Sequence, residues 1–389
     1  MNELVVRIAA RGDGVTASGR HVPFGVPGDA LLDDGALAFG PHHQVPPCRH
    51  FPECGGCQLQ HADDAAYRGY LVTRVETALA QHGLGGQTRE PHLSPPNSRR
   101  RATLRALKVG QGAVLGFNAE KSHRIIDMRE CHILRPELFA LVDPLRRLLA
   151  GLLQPRRTAE VQMTLVDGGA DLLLKGVAAE GLEANEALTS FAGEQRLARL
   201  SVDRGLGAET VYEPEPATVT LSGVPVAFPV GGFLQATEDG EAALVAAVRE
   251  AVGDAAPAVD LFAGVGTFAL ALGAGYAAEA SRDSAAALKR AAPGMTVEHR
   301  DLYRRPLDRS ELERFGAVVL DPPRAGAAEQ VGALAGSSVS RIAYVSCNPA
   351  TFARDAKTLA EGGYRLEWVK AVGQFRWSTH VELAASFAR

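Results

Sequence analysis

The stretch VVLDPPRAGAAEQ (Val318–Gln330), followed by AYVSCNPATFARD (Ala343–Asp355), decides how this chain is read. Each half opens on an apolar run of strand length and closes on a polar, proline-containing turn. That pattern predicts two buried strands ending in shaped loops. The first strand delivers Asp321; the second delivers Cys347, beside Asn348 and Pro349. In open α/β sheets, ligands collect at the carboxyl ends of strands. A cysteine held there is placed like a nucleophile. Taken alone, a structural thiol is an equal reading, since free cysteine is among the most buried residue types.

Upstream, from Val259, strand and helix patterns alternate, the signature of a parallel doubly wound sheet. VDLFAGVGTFALAL (Val259–Leu272) reads as a strand, a glycine turn and a helix start. Gly264 and Gly266 let the backbone approach a ligand closely. The full G-x-G-x-x-G is absent, which favours S-adenosylmethionine over a dinucleotide. Glu279 in AAEAS follows the next strand, where a carboxylate can accept both ribose hydroxyls. Asp301 in EHRDL follows a third and is expected near the adenine edge. Each could be an ordinary surface turn; three at successive strand ends argue for a site.

The chain has 389 residues, enough for two or three domains. Its net charge of −4 carries no global nucleic-acid signature, although local patches do the binding. No apolar leader follows Met1, and the most apolar tract, Val259–Ala278, is broken by glycines and Asp260. Neither a secretion signal nor a spanning helix is therefore expected. The expectation is a cytoplasmic monomer without a membrane partner.

Residues 1–40 alternate like short strands separated by Gly and Pro, as in a small β-barrel or an edge sheet. Then PCRHFPECGGCQLQH carries Cys48, Cys54 and Cys57 in C-x5-C-x2-C spacing, with Cys131 far downstream. Thiolates so clustered converge on a soft metal, and disulfides are not expected. Zinc is open, with His50, His61 and His132 as further ligands. One remote cysteine and no paired C-x2-C favour an iron–sulfur cluster. Asp63–His82 is predicted helical, from its acidic start, its apolar spacing and Gly83 as a stop. From Arg89 to Arg135, ten Lys/Arg oppose four Asp/Glu. Arg99, Arg100 and Arg101, beside Arg105 and Lys108, favour a phosphate-contacting strand over a solvated hairpin face. The region to residue 225 reads as a helix, Glu137–Leu153, followed by antiparallel strands.

DPPRAG with SCNPATFARD, the glycine turn, and HVE at 380–382 together resemble the RNA uracil-5-methyltransferase family, over essentially the whole chain. The C-x5-CGGC run with Cys131 in D-x-x-x-C resembles its iron–sulfur branch, which acts mostly on 23S ribosomal RNA. RIAARGDGV…PFGVPGDAL resembles its TRAM module. The resemblance implies an α/β protein: a C-terminal Rossmann-like methyltransferase domain (226–389), an N-terminal small β-barrel (1–40) and a central antiparallel α+β iron–sulfur domain (41–225). The helix at 63–83 is expected to pack on the catalytic domain. It further implies Cys347 as nucleophile and Glu382 as proton acceptor. Gln235 of the F-x-Q element, Phe262, Thr267, Glu279, Asp301 and Asp321 would contact S-adenosylmethionine. Cys48, Cys54, Cys57 and Cys131 would hold a 4Fe-4S cluster. The chain departs from the family at Gly373, Gln374, Phe375 and Arg376, where an aspartate, a hydrophobe and Phe-Pro are common. Three other readings stand beside this one: a transfer-RNA uridine as substrate, a degenerate metal-containing RNA-binding protein, and an amine methyltransferase. The last lacks the aromatic of D/N-P-P-Y, which Arg324 replaces.

Overall fold

Short runs of four to six residues, largely apolar except in the edge strand Thr296–His299, build the mutually parallel strands Ala258–Leu261, Tyr276–Glu279, Thr296–His299, Ala317–Leu320 and Arg341–Ser346. The computed structural model describes residues 2–389. The 258 and 317 strands are buried along their whole length, as expected of strands covered on both faces. Across the sheet the order is 296–276–258–317–341, so its growth reverses between the 258 and 317 strands. That reversal is the switch point at which such folds bind ligands. The sheet continues through antiparallel Glu382–Ala388 and then Arg365–Gly373.

The eighth strand comes from far earlier in the chain. Gln87–Leu93 pairs parallel with Arg365–Gly373, which makes the sheet mixed. The preceding helix, Asp64–Ala80, is capped by Asp63, whose side chain accepts from Ala66 N at 2.8 Å. Its Tyr67, Leu71 and Val75 share one core with Phe352, Leu359 and Val369. Compactness thus divides the chain differently from boundaries at 40 and 225. One unit comprises the residues up to Pro46, Gln58–Ser94 and Asp239–Arg389; the other comprises Pro47–Cys57 and Pro95–Glu238.

In the first unit, the N-terminal residues form a five-stranded antiparallel sheet of linear order, edged by His21–Val22 and Leu37–Ala38. The second unit has a six-stranded sheet built mostly from antiparallel neighbours. One pair corrects the antiparallel expectation: Gly169–Lys175 runs parallel to Arg199–Asp203. Helix Gly181–Glu194 makes the crossover that a parallel pair requires. The parallel register sets Asp171 beside Arg199, and they form a buried bidentate pair at 2.7 and 2.8 Å. The expected single helix near 137–153 is broken into Pro136–Phe139 and Val142–Leu152. No described helix is long and apolar enough to cross a membrane.

Candidate active site

The carboxyl edge of the large sheet gathers most of the residues singled out in the sequence. Going across the strands, it presents Asp301, Glu279, Phe262, Asp321 and Cys347 at or just beyond their ends. Glu382 opens the antiparallel strand at the same edge. Ser346 pairs with Leu383, so one step further sets Cys347 opposite Glu382. Asp301 and Asp321 are three strand spacings apart, roughly 14 Å.

The glycine turn is built to bring backbone to a ligand. Phe262, Gly264 and Gly266 have φ of 66°, 56° and 100°. At Gly266 a Cβ would lie 2.4 Å from Leu288 Cδ1, so no side chain fits. Glu279 closes this turn, accepting from Gly264 N at 2.8 Å and from Ser281 N at 2.5 Å. Thr267 begins the helix Thr267–Leu272. Phe262 lies 5.7 Å from the Tyr303 ring, and exposed Asp301 accepts from Tyr303 N. Gln235 belongs to the second unit, where it is buried and its carbonyl accepts from Arg100 Nε at 3.0 Å.

The two proline turns are tied together. Asn348 Nδ2 and Thr351 Oγ1 both donate to Arg324 O, at 3.0 and 3.2 Å. Asn348 also caps helix Pro349–Glu361. Buried Asp355 accepts from Ala327 N and from Tyr344 Oη, at 2.7 and 2.6 Å. Gly326, with φ of 83°, leaves room for that carboxylate, since a Cβ there would meet it at 2.6 Å.

Electrostatics couple the edge residues. Burial pushes the Cys347 thiol up to about 11, helped by the negative charges of Glu382 and Asp321 and opposed by Arg324. Burial likewise raises the Asp321 carboxyl to about 7. Arg324 Nη2 donates to His380 Nδ1 at 3.2 Å, which leaves the imidazole's proton on Nε2.

Asp260 is a residue whose place in the site the sequence reading missed. It is fully buried, with one oxygen accepting from Ala269 N at 2.7 Å and the other without a hydrogen bond. Burial, then Asp321, pushes its carboxyl well above the usual range. The available signal was an acid inside an otherwise apolar strand.

The altered loop has its own anchors. Arg376 pairs with Asp64 and donates from Nη1 to Ser94 O at 3.0 Å, while Tyr67 Oη donates to the carbonyls of Phe375 and Ser378. At Gly373 a Cβ would come within 2.7 Å of Leu71, which explains glycine at that position.

The four candidate metal cysteines lie in the second unit, Cys57 buried and Cys48, Cys54 and Cys131 half-buried. Cys48, Cys54 and Cys131 are raised by burial, Cys48 to about 11, and each feels charge from others of the set or from Glu130. Among the described residues, no group of three or more His, Cys, Asp or Glu side chains is disposed to hold a metal ion. Of the arginine triplet, Arg99 and Arg101 are half-buried. Arg100 is buried, and Arg99 Nε donates to Arg101 O at 2.9 Å.

A family model described as tRNA (uracil-5-)-methyltransferase matches residues 282–389. A curated uncharacterized RNA methyltransferase of Zymomonas mobilis is 52% identical, over 99% of each chain. The 23S rRNA (uracil(1939)-C(5))-methyltransferase RlmD of Yersinia enterocolitica is 31% identical, over 88% of this chain and 81% of that one. The chain belongs to the RNA uracil-5-methyltransferase family. Members of the family transfer the methyl group of S-adenosylmethionine to carbon 5 of uracil in RNA, and this methyltransferase is such an enzyme. A solved tRNA (uracil-54, C5)-methyltransferase of Pyrococcus abyssi, in complex with S-adenosyl-L-homocysteine, shares the fold. Its TM-score is 0.75 at 22% identity, with each chain fully covered.

Proposed function

We propose that the enzyme methylates a uridine of 23S ribosomal RNA through a covalent bond from Cys347 to carbon 6 of the ring. The observation that carries this reading is the meeting of Cys347, Glu382 and Asp321 at one strand edge, close enough for their charges to act on one another. Carbon 5 of uracil is a poor nucleophile. Addition of the thiolate forms the S–C6 bond and moves the ring's electron pair onto O4, giving an enolate reactive at carbon 5. S-adenosylmethionine supplies the methyl group from its sulfonium and leaves as the thioether. Glu382 takes the carbon-5 proton, the S–C6 bond breaks and the thiolate departs. With its thiol near 11 in the free enzyme, Cys347 must lose its proton as uracil enters, and Arg324 is a cation placed to favour that loss.

Phe262, Thr267, Glu279, Asp301 and Asp321 are proposed to hold S-adenosylmethionine along the sheet edge. A base stacked in RNA is inaccessible, so the target must be splayed out first. The five-stranded N-terminal sheet, read as a TRAM-like barrel, and the basic stretch at 89–135 suit that task. The C-x5-C-x2-C spacing with one remote cysteine is what supports a 4Fe-4S cluster held by Cys48, Cys54, Cys57 and Cys131. Such a group would tie the Cys48–Cys57 turn to the distant Cys131.

RNA containing 5-fluorouracil tests the chemistry. The carbon-5 fluorine cannot be removed as a proton, so the wild-type enzyme should remain bound through a denaturing gel. No shifted band would overturn the covalent route. Mapping 5-methyluridine in ribosomal and transfer RNA from a deletion strain tests the substrate, and loss from transfer RNA alone would replace the ribosomal assignment.

A further inference from the structure

Resting on the cofactor reading above, we infer that Tyr303 is a further cofactor-positioning residue. Its ring, beside Phe262, forms one wall of the adenosyl pocket, and its hydroxyl ties that wall to the loop that follows Asp321.

The strands that end at His299 and Leu320 are separated in the sheet by two others, those ending at Glu279 and Leu261. The loops that follow them nevertheless meet. Tyr303 Oη donates to Gly326 O at 2.9 Å, so one side chain bridges the carboxyl edge on either side of the switch point. Its ring stands 5.7 Å from that of Phe262, the first residue past the 258 strand, and is tilted to it by 56°. The two rings do not cover each other, and Tyr303 keeps 37% of its surface exposed. Open aromatic surface beside a glycine turn is what a purine stacks on.

Both ends of this bridge are anchored. Buried Arg300 pairs with both oxygens of Glu311, at 2.7 and 2.8 Å, and donates to Arg305 O and Pro306 O, at 2.7 and 2.6 Å. The 301–306 loop is therefore wrapped around a fixed guanidinium. Within it Tyr303 N donates to Asp301 Oδ1 at 3.0 Å, which joins Tyr303 to the proposed adenine contact in one turn. On the other side, Arg354 Nη2 donates to Ala325 O at 3.0 Å, and Asp355 accepts from Ala327 N. Those grips, like Asn348 and Thr351 on Arg324 O, come from the segment that follows Cys347. Tyr303 holds the same loop from the cofactor side. A cofactor seated on its ring thus fixes the loop that carries Asp321 and Arg324, and brings the methyl donor into register with the nucleophile.

The test titrates the full chain with S-adenosylmethionine and follows single-turnover methylation of total RNA from the deletion strain at saturating cofactor. Tyr303→Phe keeps the ring. It should bind the cofactor within about twofold of wild type yet methylate about five- to tenfold more slowly, the worth of one hydrogen bond. Tyr303→Ala should in addition bind the cofactor roughly tenfold more weakly, the worth of one stacked base. If Tyr303→Ala does not fold, Tyr303→Leu, which keeps bulk without an aromatic face, takes its place in the titration. An unchanged rate in Tyr303→Phe, or unchanged affinity once the ring is gone, overturns the inference. So does a lower melting temperature with neither rate nor affinity altered, which marks a purely structural staple. Glu279→Gln separates this from failure of the cofactor reading. If it weakens binding while loss of the Tyr303 ring does not, the inference alone falls; if neither weakens binding, the cofactor reading falls with it.

Discussion

Cys347 and Glu382 are close neighbours with opposed tasks, and each can be isolated by one substitution. Cys347→Ala should abolish methylation and adduct formation together. Glu382→Gln should still attack and methylate but stall on ordinary RNA, because a general base contributes roughly 10²–10⁴-fold. A denaturing gel with labelled RNA and cofactor separates them; full turnover by Glu382→Gln would move the base's role elsewhere. The same substitution removes a charge that raises the thiol, so alkylation of Cys347 at about pH 8 should quicken in Glu382→Gln. Asp321 shows what the site costs in stability. Its carboxyl stands near 7 against 3.8 unperturbed, so between those values the native state binds more protons than the unfolded chain. Stability is therefore lost as pH rises through that window. Asp321→Asn should melt about 2 °C or more above wild type at about pH 8, with no gain at about pH 4, while losing cofactor affinity. A gain of equal size at both pH values would show that ionisation is not the cause.

At the scale of elements, loops aim the chemistry and rigid neighbours hold the loops. Arg376 stands in the segment where this chain departs from its family, and its side chain spans from Asp64 at a helix start to Ser94 O. Arg376→Ala should cost about 1–3 kcal/mol, in the range for a charged hydrogen bond, and reduce methylation more than cofactor binding. Urea unfolding and equilibrium binding of S-adenosylmethionine check the two parts; unchanged turnover would show that the loop keeps its shape without the anchor. The departure was legible as a change of residues. Its meaning was not, because Asp64 and Ser94 lie about 300 residues away in sequence and only the packing of the early helix against the last strands brings them near.

At the scale of the molecule, the cysteines and the nucleophile belong to different compact units. Thermal unfolding of the iron-loaded protein should show the consequence. On the proposed cluster reading, chelating the iron should lower the transition of the unit spanning 95–238, because the cluster would tie together segments that are distant in the chain. S-adenosylmethionine should raise the other transition by mass action. A single transition that moves with both ligands would refute this independence. Arg100 matters here too. The charge count suggested phosphate binding, yet its guanidinium is buried against Gln235 O. Arg100→Ala should therefore destabilise its unit by about 1–3 kcal/mol and leave the salt slope of RNA binding unchanged.

The sequence alone determined the local grammar of this protein. Strand–turn–helix alternation, the glycine turn and the two proline turns depend on nearest neighbours along the chain, and they announced a parallel sheet with Asp321 and Cys347 at its carboxyl ends. The tertiary structure alone decided everything that joins distant segments. Gln87–Leu93 completes a sheet begun near residue 258 because its partner's edge lay open, and no pattern within seven residues could name that partner. Asp171 and Arg199 required a parallel register set by a helical crossover. Burial turned Asp260 from a break in an apolar run into a raised carboxyl beside Asp321. A residue's type is written locally, but its charge, exposure and neighbours are properties of the packed chain.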